Sequence, residues 1–95
     1  MTRITEAEFA RIVDGIVKDR ETIIQHNPLG TREEILLWML LATLFSYLSL
    51  SEIETPCFSG SVDAATYREA VGFVLNKRKA TDFDHEQYLD RFVNL

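Results

Sequence analysis

The stretch TREEILLWMLLATLFSYLSLSE, from Thr31 to Glu52, decides how this chain folds. Its first four residues carry helix-start chemistry. The Thr31 hydroxyl can accept from the amide of Glu34, and the Glu34 carboxylate can reach back to the amide of Thr31. After Glu34 no charge appears until Glu52. At about 100° per residue, Leu37, Leu40, Leu41, Leu44, Leu48, Trp38 and Phe45 cover one broad side of a helix. Ala42, Ser46 and Ser49 form a stripe of small residues on the other. A helix with no charged face is buried around most of its circumference. Residues 32–50 therefore read as the central helix, with the other elements arranged around it. The run Ile35 to Ser51 is shorter than the roughly 20 residues needed to span a bilayer, and it holds Thr43, Ser46 and Ser49. It reads as a buried helix and not as a membrane span.

On the N-terminal side, a helix over 6–26 is predicted. Thr5 is its N-cap, Glu8 completes a capping box, and Ile4 and Phe9 are spaced as a hydrophobic staple. Phe9, Ile12, Val13, Ile16, Val17, Ile23 and Ile24 share one face, with Arg11, Asp14, Lys18 and Gln25 opposite. Asn27-Pro28-Leu29-Gly30 stops this helix. Arg20 falls near the middle of the apolar face, between Val17 and Ile24. An unpaired guanidinium buried there would be prohibitively costly. Arg20 must therefore snorkel at the edge of the bundle, pair with a carboxylate, or hold an anion.

On the C-terminal side, Ser51 to Val62 is a long connection, broken by Pro56 and Gly60. Ile53, Cys57 and Phe58 are its candidate tethers to the core. A third helix is predicted over 64–79, capped by Asp63, with Tyr67, Ala70, Val71, Val74 and Leu75 inward. Its end, Lys77-Arg78-Lys79, places positive charge where a helix C-terminus favours it. Phe73 lies roughly opposite Val71 and Leu75, either covered by a neighbouring segment or free to anchor a partner. A last helix over 85–94 starts after Asp84. Phe83 and Tyr88 are spaced as a second staple, and Tyr88, Leu89, Phe92 and Val93 are its apolar positions. No alternating β-type segment competes with these four helices. The expected fold is a compact all-α four-helix domain, an irregular or orthogonal bundle with its long connection between the second and third helices.

Ninety-five residues make one domain, 1–95. A 46% hydrophobic content with four Gly and two Pro is that of a folded protein, not a disordered one. The single cysteine, Cys57, can form no internal disulfide. The N-terminus is acidic and helical, with no apolar signal segment, so the cytoplasm is the expected compartment. Ten basic and fifteen acidic residues leave a net charge of −5, which disfavours nucleic acid and anionic membranes as partners.

Candidates for chemistry are sparse. Cys57 as a nucleophile would need His26 or His85 brought to it by the fold. Asp82-Phe83-Asp84-His85-Glu86 offers three carboxylates and an imidazole, yet its spacing matches neither the two-His helical motif nor a calcium loop. Asp84 is better used as a cap. Two histidines are too few for a multi-His zinc site in one chain. Nothing in the sequence calls for a metal or cofactor, and no strand or Gly-rich loop is present to cradle phosphate. The helix pair around Lys77-Arg78-Lys79 superficially resembles a helix-turn-helix, but Asp84, Glu86 and Asp90 would face the phosphates. The expected function is a noncatalytic protein-interaction module or small accessory or regulatory subunit, binding a second copy of itself or another protein. Its interaction candidates are Ala42, Ser46, Ser49, Phe73 and Arg20. The alternatives are a small enzyme or enzyme subunit built on a Cys57/His or carboxylate/His site, and a nucleic-acid-associated regulator.

Overall fold

Thr5 starts the first helix through its side chain: the amide of Glu8 donates to Thr5 Oγ1 at 3.1 Å. The reciprocal half of the predicted capping box is replaced, because the Thr5 hydroxyl itself donates to the Glu8 carboxylate at 3.0 Å. A computed structural model describes residues 3–49, 60–77 and 83–93. Within them α1 spans Glu6–Lys18, α2 Arg20–Gln25, α3 Arg32–Tyr47, α4 Ala64–Lys77 and α5 Glu86–Leu89, followed by a 3₁₀ turn over Asp90–Phe92. The chain is a compact all-α domain with irregular packing, and no described residue lies in a strand. Ile53, Cys57, Phe58, Arg78 and Lys79 lie outside the described residues.

The predicted helix over 6–26 is two helices. Asp19 leaves helical geometry, with φ −96° and ψ 11°. Beside it, Arg20 Nη1 donates to the carbonyl of Val17 at 2.8 Å. That carbonyl would otherwise serve the amide of Glu21, and a side chain inserted into the ladder breaks a helix locally. The path stays continuous, since the amide of Ile23 still donates to the carbonyl of Asp19 at 3.1 Å.

Thr31 starts α3 with both halves of its capping box. Its hydroxyl accepts from the Glu34 amide at 3.2 Å, and its amide donates to the Glu34 carboxylate at 3.0 Å. Ile35, Leu36, Leu37, Leu40, Leu41, Leu44 and Leu48 are buried. This helix packs against α1, α2, α4 and the 3₁₀ turn, so it is the central element. Trp38 and Phe45, predicted on the same buried side, are only half-buried. The helix also ends early. Leu48 is its C-cap, and Ser49 sits at φ +54°, with its amide donating to the carbonyl of Ser46 at 3.3 Å. A residue in left-handed geometry directly after the cap terminates a helix, a place usually taken by Gly or Asn.

Asp63 caps α4, accepting from the Thr66 amide at 2.9 Å and the Thr66 hydroxyl at 2.8 Å. Tyr67, Val71, Val74 and Leu75 face the core, as the sequence requires. Gly72 lets the His85 imidazole rest on α4, since a Cβ there would lie 3.3 Å from His85 Nε2. The predicted helix over 85–94 is one α-turn followed by the 3₁₀ turn. In 3₁₀ geometry residues three apart point the same way. The tighter winding lets Leu89 and Phe92 both reach the core and turns Val93, an expected core position, out to 52% exposure. The expected cap at Asp84 is displaced by one residue: His85 is the N-cap and its side chain makes no capping bond, while Asp84 Oδ1 accepts from the Glu86 amide at 3.1 Å from just ahead of it. Phe83 and Tyr88 meet edge to face at 6.3 Å, and both rings approach Phe9, at 5.5 and 5.6 Å. Among the described residues no helix is long and apolar enough to cross a membrane.

Candidate interaction surface

Among the described residues, burying the leucines of α3 against α1 and α4 leaves no helix over the opposite side of α3. Ala42, Thr43, Ser46 and Tyr47 line a shallow depression there of about 380 Å³. Ala42 and Thr43 are half-buried, while Ser46 and Tyr47 are exposed. The Thr43 hydroxyl donates back to the carbonyl of Met39 at 2.8 Å, so its hydrogen is already used within the helix. The floor is therefore small and nearly apolar, with a phenol at its edge. Tyr47 also borders a second hollow of about 230 Å³, formed with Glu8, Arg11 and Ile12 of α1. Among the described residues, no titratable group other than the Tyr47 phenol lines the first hollow.

The five sequence-predicted residues do not converge. Ala42 and Ser46 share the depression. Ser49 has left the helix and does not line it. Phe73 stands 65% exposed on α4 and does not line the depression. Arg20 has a 38% exposed side chain, donates to Val17, and lies 3.8 Å from the Glu21 carboxylate. It sits at the bundle edge and is engaged by its own helices. Thr43, Tyr47 and Ile12 were not singled out from the sequence. Thr43 and Tyr47 adjoin the stripe at helical spacing, a signal that was available. Ile12 joins only because α1 packs beside α3.

The strongest polar constellation lies elsewhere and involves no residue predicted for function. Arg68, with a 20% exposed side chain, donates to Glu33 of α3 at 3.1 Å, Glu86 of α5 at 2.8 Å and Asp90 of the 3₁₀ turn at 3.0 Å. Burial works to lower the pKa of this guanidinium. Its hydrogen bonds to Asp90, Glu33 and Glu86 outweigh that and raise it. The cluster is internally satisfied and holds four elements together. A hollow of about 400 Å³ beside it is lined by Thr31, Arg32, Glu33, Phe92 and Val93.

Cys57 lies outside the described residues. His26 Nδ1 is 2.8 Å from the carbonyl of Thr22, and His85 Nε2 is 3.6 Å from Glu86. Among the described residues no charged side chain is buried, and no three His, Cys, Asp or Glu side chains are grouped to hold a metal. Compared with known proteins, the chain matches no family model, no curated protein and no solved structure.

Proposed function

We propose that this chain is a noncatalytic protein-interaction module, a small accessory or regulatory subunit of the cytoplasm that self-associates through the Ala42 and Ser46 side of α3. The observation that carries this reading is the depression formed by Ala42, Thr43, Ser46 and Tyr47 on α3, which carries no charge after Glu34. Small side chains let a second helix approach closely, and an aromatic rim is a frequent energetic anchor of interfaces. A twofold dimer is the simplest closed arrangement of one patch against its own copy. A net charge of −5 favours a protein partner over nucleic acid or an anionic membrane. Sedimentation equilibrium at about 1–100 μM, the range of a modest self-affinity, tests the assembly. The expected species is twice 10.9 kDa. Ser46→Arg places a charge in the depression and should return it to monomer while leaving the helical circular dichroism unchanged. A wild-type monomer throughout that range defeats self-association. A dimer indifferent to Ser46→Arg places the contact on another face.

A further inference from the structure

We draw no further inference here: the strongest candidate, the hollow on α1 between Glu8, Arg11 and Ile12 that meets the α3 depression at Tyr47, continues the surface already described, and nothing in the structure shows what covers it.

Discussion

The hydroxyl of Tyr88 donates to the carboxylate of Glu6 at 2.7 Å, joining residues 82 positions apart in the chain. Around it the Arg91 guanidinium lies 5.0 Å from the centroid of the Tyr88 ring and pairs with Asp14 of α1. Beneath this polar layer the Tyr88 ring meets Phe9 and Phe83. One aromatic side chain thus presents its ring to the core and its hydroxyl to the start of the first helix, fastening the C-terminal segment to α1.

This contact makes stability sensitive to alkali. The hydrogen bond to Glu6, with smaller help from burial and the Glu6 charge, raises the Tyr88 pKa above the ordinary value of 10.0. A folded-state pKa above the unfolded one means that the contribution is fully present below the unfolded value. It is lost as pH rises through the folded one. Wild type should therefore lose stability above about pH 10, and Tyr88→Phe should show a shallower alkaline decline. Urea melts of both proteins from neutral pH upward measure this. Superimposable profiles would mean that the Glu6 contact does not bias the titration.

Arg68 holds three carboxylates contributed by α3, α5 and the 3₁₀ turn. Arg68→Met should cost about 1–3 kcal/mol, because the carboxylates lose a shared counter-charge and are left close together. Salt screens exposed charges, so the loss should shrink as ionic strength rises. Denaturant titrations at low and high salt read both effects. An equally stable variant would make the cluster decorative.

Leu44 is fully buried on the central helix, whereas Thr31 acts only through its cap. Leu44→Ala should cost about 2–5 kcal/mol through lost burial and a residual cavity. Thr31→Ala should cost about 0.5–2 kcal/mol. Chemical denaturation orders the two, and a near-neutral Leu44→Ala would remove α3 from its central place.

Two glycines should respond with opposite sign. Gly15 lies inside α1 with nothing within 4 Å of an added Cβ, so Gly15→Ala should stabilise by about 0.5–1 kcal/mol. Gly60 has φ +77°, and an added Cβ would lie 2.9 Å from the Cβ of Leu29. Gly60→Ala should destabilise by more than about 1 kcal/mol, through both strain and collision. Thermal melts of the pair suffice, and shifts in the same direction would refute the contrast.

What the sequence determined by itself was every feature whose physics acts within about four residues. The caps at Thr5, Thr31 and Asp63, the inward face of α4, the staple of Phe83 and Tyr88, and the dominance of α3 all follow from local hydrogen bonding and helical periodicity. Half of the candidate surface, Ala42 and Ser46, was legible for the same reason. The tertiary structure decided the rest. Arg20 turns back on Val17 at the break around Asp19, a choice that helical periodicity leaves open. Leu89 and Phe92 tighten the last helix because both must reach the core, and that expels Val93. Ser49 leaves its stripe by taking left-handed geometry directly after the Leu48 cap. Arg68 finds carboxylates 18, 22 and 35 residues away. Tyr47 acquires Ile12 as a neighbour only when α1 docks. Local spacing encodes which face a residue occupies. Which face of another helix it meets depends on how the helices together bury the leucines of α3, and no short stretch of sequence contains that information.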